Sequence, residues 1–223
     1  MTKTAVVVGA TGNIGKAVCQ ILREAGYAID PTWLGAERPD ATQKESYLNL
    51  PPKIDFALYL AGINHISKAE ILSDEDWDKV HDVNLKGAFL FAKAAFPSLK
   101  QAPSSSFVTI SSIMVTHPYP NRLAYATAKA GLEAMTRVLA VEWGSYNIST
   151  HCLRLGHMNS LMKSTSANPA LLAAARQLTP TKQLIEPSSV AKYILWLAEG
   201  GCKSISGSVL DFDPAYTINR WPL

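Results

Sequence analysis

The chain has 223 residues, of which 48% are hydrophobic and 17% charged, and its formal net charge is +3. That length buries a full core and fits one large domain better than two small ones. The mild charge excludes a strongly basic nucleic-acid binder: Lys79, Lys86, Lys93 and Lys100 recur every seven residues and read as one solvated helix stripe.

In chain order, "TAVVVGA" reads as a buried strand and "GKAVCQILREAG" as a helix ended by Gly26. Residues 30–53 hold four prolines and little periodicity, with "YLNL" as a candidate strand. "IDFALYLAG" is a strand. "SDEDWDKVHDVNLKGAFLFAKAAFPSL" is a long helix with Ser73 at its N-cap and acids in its first turn. "SSSFVTISS" is a strand, and "NRLAYATAKAGLEAMTRVLAVEWG" a long helix closed by Gly144. "ISTHCLRLG" is a strand. Residues 157–185 are polar and helix-poor except for "PALLAAARQL". "PSSVAKYILWLAEG" is a helix and "SGSVLDFD" the last strand. Short continuous strands alternating with helices predict a single α/β domain: a Rossmann-like, doubly wound parallel sheet between two helix layers.

Cys19, Cys152 and Cys202 are odd in number and far apart, which gives neither a disulfide framework nor metal-ligand spacing. Free thiols suit a reducing compartment. No apolar run reaches the ~18 residues of a membrane span. The N-terminus lacks the apolar region and cleavage site of a signal peptide. The expectation is a cytoplasmic protein with no metal, nucleic-acid or membrane partner.

The first strand ends in "GATGNIG", with glycines at 9, 12 and 15 and a helix directly after. Missing side chains let the backbone approach a pyrophosphate, and the helix N-terminus favours its charge. Gly9, Thr11, Gly12, Asn13, Ile14 and Gly15 are therefore candidate cofactor contacts, against the plainer reading of a turn without a ligand. Tyr125 and Lys129 lie one helical turn apart on one face. A free phenol titrates near ~10, and a nearby ammonium lowers that value, which would let the tyrosine pass a proton to or from an alcohol or carbonyl oxygen. Ser111 and Ser112 end a strand thirteen or so residues earlier, where ligands bind in parallel sheets. Asn84 sits inside a helix, where a buried amide needs partners such as an ordered water.

Together these motifs resemble the short-chain dehydrogenase/reductase family, in order along nearly the whole chain. "GATGNIG" is similar to its cofactor loop, "YLAG" to its Asn-Asn-Ala-Gly strand end and "VNLKG" to its helix asparagine. "ISS" is similar to its serine, "YATAK" to its Tyr-x-x-x-Lys, and "RLGHMNS" to its Pro-Gly-x-x-x-Thr segment. "ISGSVLDFDPA" is similar to its closing strand. The resemblance implies an NAD(P)-dependent enzyme that interconverts a carbonyl compound and an alcohol. It makes Tyr125 the general acid and base, Lys129 the ribose ligand that lowers the tyrosine's pKa, Ser112 the orienting hydroxyl, and Asn84 the holder of a relay water. It adds Ala61, Gly62, Gly156, Met158 and Ser160 to the cofactor contacts. It also implies a substrate lid over 157–185, and a homodimer or homotetramer through the two long helices. Phe89, Phe96, Leu132 and Leu139 serve that contact or the core.

The departures from the pattern are specific. Asn13 stands where the middle glycine is expected, and Tyr59 and Leu60 replace the two asparagines. Leu155 replaces the proline of Pro-Gly, Ser160 the threonine, and Pro214 and Ala215 the last two glycines. No acid lies near Trp33, where an NAD enzyme would bind the ribose; Asp30 comes about three positions early and precedes Pro31. Arg38 is a candidate for a 2′-phosphate, against the plainer reading of a solvated loop arginine, and because no acid there repels that phosphate NADP is slightly favoured over NAD, with Asn49 at the adenine. The competing reading is a cofactor-binding sensor or scaffold without turnover. An epimerase or dehydratase is a third, disfavoured because such relatives usually carry an added C-terminal substrate domain. His65, His81, His117, His151 and His157 read as ordinary loop or surface residues, with His157 notable beside the nicotinamide segment. Met114, His117 and Tyr119 line the region between Ser112 and Tyr125. The polar lid carries no dense positive patch, which argues against a phosphorylated or highly acidic substrate.

Overall fold

Six strands form one parallel sheet in the computed structural model, which describes residues 2–35, 37, 39–159, 169–200 and 203–219. They are β1 (Thr4–Val8), β2 (Ala28–Ile29), β3 (Phe56–Tyr59), β4 (Ser105–Ser112), β5 (Ile148–Leu155) and β6 (Ser208–Phe212). Their order is β2-β1-β3-β4-β5-β6, so the chain reverses direction across the sheet between β1 and β3. Such a reversal opens a crevice at the carboxyl ends of the strands. Strands β1 and β3 are almost wholly buried, as apolar runs covered on both faces must be.

The helices are α1 (Asn13–Glu24), α2 (Asp74–His81), α3 (Gly87–Leu99), α4 (Leu123–Trp143), α5 (Pro169–Leu178) and α6 (Pro187–Ala198). Helices α1 and α6 pack together on one side, while α3 and α4 lie over β3, β4 and β5. Leu132, Phe91, Phe107 and Val108 are fully buried in the core. Of the residues expected at a core or a dimer contact, Leu132 is core, Phe96 stacks on Trp143, Leu139 packs partly buried on the core, and Phe89 is exposed. The four stripe lysines are all exposed, and Ser73 caps α2 by accepting the Asp76 amide at 3.1 Å.

Three elements differ from the sequence expectation. The long helix over 73–99 is interrupted by a π-helical turn, Asp82–Lys86. In that turn the Gly87 amide bonds to Asp82 rather than to Val83. The Val83 carbonyl instead accepts the Tyr59 hydroxyl at 2.6 Å. Gly87 is required there, because a Cβ would overlap the Tyr59 oxygen. The "YLNL" stretch is not a strand: Lys44–Tyr47 is a 3-10 helix whose Tyr47 ring packs between Trp33 and Phe91. Gly144 does not end α4 in a left-handed turn. The chain continues through a 3-10 turn to Asn147, which takes the left-handed conformation at φ 60°.

His151 lies outside its expected surface role as well. It is fully buried in mid-β5, neither ring nitrogen has a hydrogen-bond partner among the described residues, and burial pushes its pKa down to about 4. It is neutral at ordinary pH, the form that a core without a counter-charge tolerates.

Candidate active site

The β1–α1 turn is built by steric necessity at two of its three glycines. Gly9 has φ +92°, and a Cβ there would stand 2.7 Å from the Ala61 amide nitrogen. A Cβ on Gly15 would overlap the Gly9 carbonyl. Gly12 is different: its φ is −72°, and the nearest atom to a Cβ would be 3.5 Å away. The fold does not need glycine at 12, so the bare backbone there is space left for a ligand. Asn13 is the first residue of α1 and has no positive φ, so its place in the loop demands no glycine. Thr11 lies in the turn, and Ile14 and Gly15 lie in the first turn of α1. That turn has no side-chain cap and no acid, which leaves its positive end for an anion. A dinucleotide pyrophosphate fits this cradle.

Ala61 and Gly62 follow β3 and join the glycine turn to the centre of the site. A Cβ on Gly62 would stand 2.7 Å from Asn84 Oδ1 and 3.5 Å from Lys129 Nζ. Asn84, fully buried in the π turn, accepts the Ile63 amide at 3.2 Å and donates to the Ile63 and Val80 carbonyls at 2.8 and 2.9 Å. Its side-chain donation to Val80, four residues back, competes with the regular helix bond and joins the Tyr59–Val83 bond in holding the local change of helix type.

Ser112 ends β4, and its Oγ accepts the Met114 amide at 3.3 Å. Tyr125 and Lys129, on the first turns of α4, are 8% and 5% exposed. Lys129 Nζ donates to the Ile110 carbonyl at 2.8 Å and lies 5.6 Å from the centroid of the Tyr125 ring. Burial pulls Lys129 down to about 8. Burial pushes the Tyr125 phenol above its ordinary value, while the Ser112 hydroxyl and the Arg122 guanidinium work against that rise. The expected lowering of the phenol by Lys129 is thus not the balance found here. The ammonium stands over the ring, and desolvation of the anion is the larger effect.

A buried ion network fixes α4 to the sheet beneath these groups. Glu133 accepts Arg154 Nε and Nη2 at 2.9 and 2.8 Å and the Ser111 hydroxyl at 2.7 Å. Arg154 Nη1 continues to Asp211 at 2.8 Å. Beside the β5 end, Tyr119 shares hydrogen bonds of 2.7 Å with His157 and with Tyr216. Gly156 donates its amide to Phe212 at 3.1 Å, and Met158 bridges to Ile185. Met114 packs on the cluster around Tyr125, whereas His117 is exposed.

Asn49 stands apart from this set, in an exposed turn. With Thr32, Pro39, Glu45, Ser46 and Leu50 it lines a shallow hollow of about 340 Å³. Arg38, Ser160 and Cys202 lie outside the described residues, as does part of the 157–185 segment. Asp30 directly follows β2, with its Oδ1 accepting the Thr32 amide at 2.8 Å. Sequence reasoning set Asp30 aside as about three positions early, because it placed the strand end near Trp33. It missed Glu133 and Arg122, whose only signal was position on the helix of Tyr125. Among the described residues no cluster of side chains is able to hold a metal, and no helix is long and apolar enough to cross a membrane.

A family model described as enoyl-(acyl carrier protein) reductase matches residues 44–217. The NAD-dependent glycerol dehydrogenase of Listeria innocua is 29% identical over 239 residues, covering 97% of this chain and 94% of that protein. A 3-oxoacyl-(acyl-carrier-protein) reductase of Rickettsia felis is 28% identical, covering 93% and 94%. Among solved structures, the aldohexose dehydrogenase of Thermoplasma acidophilum superposes with a TM-score of 0.86 at 22% identity, over 100% of this chain and 96% of that one. A short chain dehydrogenase from Bacillus anthracis gives 0.87 at 20%, over 99% and 98%. The two structures show the shared fold, and the family model spans most of the sequence. The chain belongs to the short-chain dehydrogenase/reductase family of NAD(P)-dependent oxidoreductases.

Proposed function

We propose that the protein interconverts a ketone or aldehyde and an alcohol, with Tyr125 as general acid and base. One observation carries the reading: the glycine turn, Ala61, Gly62 and Lys129 are contiguous, so a ligand held at Gly12 leads along Gly62 to Lys129 and Tyr125. A nicotinamide dinucleotide, when bound, supplies the hydride. In the reductive direction the Tyr125 hydroxyl gives its proton to the carbonyl oxygen, and the Ser112 hydroxyl orients that oxygen. Lys129 binds the ribose hydroxyls and replaces the proton on Tyr125. A pKa near 8 lets it both hold and release that proton near neutrality. Asn84, with its amide committed to Ile63 and Val80, contributes by holding the Gly62 wall against Lys129.

Residues 1–223 form one catalytic domain in this reading, with 157–185 as the substrate lid. Phe89 on α3 and Leu123, Val138 and Val141 on α4 are exposed apolar side chains, which supports a homodimer or homotetramer through those helices. The burial that raises the Tyr125 phenol favours a second reading, a cofactor sensor without turnover. A carbonyl and alcohol screen that finds binding without turnover would select it.

The expectation of NADP rests on the lack of an acid near Trp33, and Asp30 at the end of β2 removes that ground. A carboxylate there accepts the ribose hydroxyls and repels a 2′-phosphate. NAD is therefore the proposed cofactor. Fluorescence titration should show NADH bound roughly tenfold or more tighter than NADPH. Tighter NADPH would overturn the assignment and point to Arg38.

A further inference from the structure

Among the described residues, Arg122 is a cation buried without a counter-ion. It is 9% exposed, and among the described residues its Nε has no hydrogen-bond partner and its Nη1 donates only to the adjacent Asn121 carbonyl at 3.3 Å. Among the described residues no carboxylate stands within ion-pair distance of it. All 18 Asp and Glu residues of the chain are described, so no acidic side chain remains to fill that role. A guanidinium taken out of water is destabilising unless an anion or several acceptors offset the loss of hydration.

Its position says where the anion comes from. Arg122 is the N-cap residue of α4, one turn before Tyr125, and its charge acts directly on the phenol. On its other side it bridges to Ser67. The loop leading to Ser67 carries a second buried polar atom without a partner among the described residues, Oδ1 of Asn64. Both unpaired polar groups therefore belong to the segments that flank the proton-transfer tyrosine.

We infer that Arg122 is the counter-charge for a carboxylate on the substrate, so that the substrate is an oxo acid in reduction and a hydroxy acid in oxidation. The inference rests on the oxidoreductase reading above. The planar fork of the guanidinium matches a carboxylate bidentately. In reduction, hydride from the reduced nicotinamide dinucleotide adds to the carbonyl carbon and the Tyr125 proton to its oxygen. The carboxylate is unchanged and stays on Arg122. One guanidinium balances one carboxylate, whereas a phosphate ester would keep an uncompensated charge. The sequence argument against phosphorylated or highly acidic substrates leaves room for a single carboxylate.

The test compares oxo acids with their methyl esters on one carbon skeleton. Wild-type protein should favour the acid in kcat/KM, mainly through KM. Arg122→Gln should narrow the acid-to-ester ratio by on the order of a hundredfold. Equal use of acid and ester by the wild type, or a ratio that survives the substitution, overturns the inference. A second readout needs no turnover: butyrate and neutral butyramide binding by ligand-observed NMR, with and without NAD. Butyrate preference in the wild type and its loss in Arg122→Gln support the site, even if no substrate turns over and the oxidoreductase reading fails. Equal binding of the two ligands by the wild type overturns it. Arg122→Gln should also be no less stable to heat than the wild type, since it removes an unpaired buried charge. A large fall in Tm would assign Arg122 a structural role instead.

Discussion

Replacing Glu133 with alanine tests how α4 is held in register with the strands that carry the site. The Glu133 carboxylate is buried and accepts three hydrogen bonds, two from Arg154 and one from Ser111. Its loss leaves Arg154 with Asp211 alone, whose side chain is 53% exposed. Removing one partner of a buried pair costs about 3–5 kcal/mol. The half-exposed Asp211 retains part of the interaction, which places the effect at the lower end, about 3 kcal/mol. For a chain of this size that corresponds to a fall in Tm of roughly 10 °C. Urea unfolding followed by tryptophan fluorescence should show a lower midpoint with an unchanged slope. The double substitution Glu133→Leu with Arg154→Leu should recover most of the loss, because neither charge is then stranded. A loss below about 1 kcal/mol for Glu133→Ala would show that the network contributes no more than a surface pair, and the reasoning would be refuted.

Burial lowers Lys129 from 10.5 to about 8, so the unfolded chain binds that proton more tightly than the folded one. The cost is full below pH 8, and stability rises with pH between about 8 and 10.5, by roughly 3 kcal/mol in all. Lys129→Met should remove that rise, and an identical pH dependence of unfolding in both proteins would contradict it. Gly62→Ala places a Cβ 2.7 Å from Asn84 Oδ1 and should cost about 1–3 kcal/mol. It should lower turnover as well, and an unchanged Tm would mean that the Gly62–Asn84 contact is looser than described.

The sheet was legible because its signals are local. Apolar runs, glycine turns and caps such as Ser73 each act within a few residues, and they predict the strands and most helices. The site was partly legible for the same reason, since Tyr125 and Lys129 share a turn and Ser112 marks a strand end. What escaped depends on contacts between distant residues. The π turn is held in part by Tyr59 reaching Val83 from a distant strand, and no local pattern announces that bond. The Tyr47 ring turned a strand-like stretch into a 3-10 helix by packing between Trp33 and Phe91. His151 read as ordinary, and Arg122 went unremarked, because burial without partners is a property of the folded chain. Asp30 was displaced by the uncertain end of a two-residue strand.

Proton transfer by the Tyr125 phenol is tested most directly by Tyr125→Phe, assayed for NADH binding by fluorescence and for turnover on the best substrate of a carbonyl and alcohol screen. The predicted result is nearly unchanged cofactor binding with kcat lowered by roughly a hundred- to ten-thousandfold. Full activity in the phenylalanine variant would contradict it.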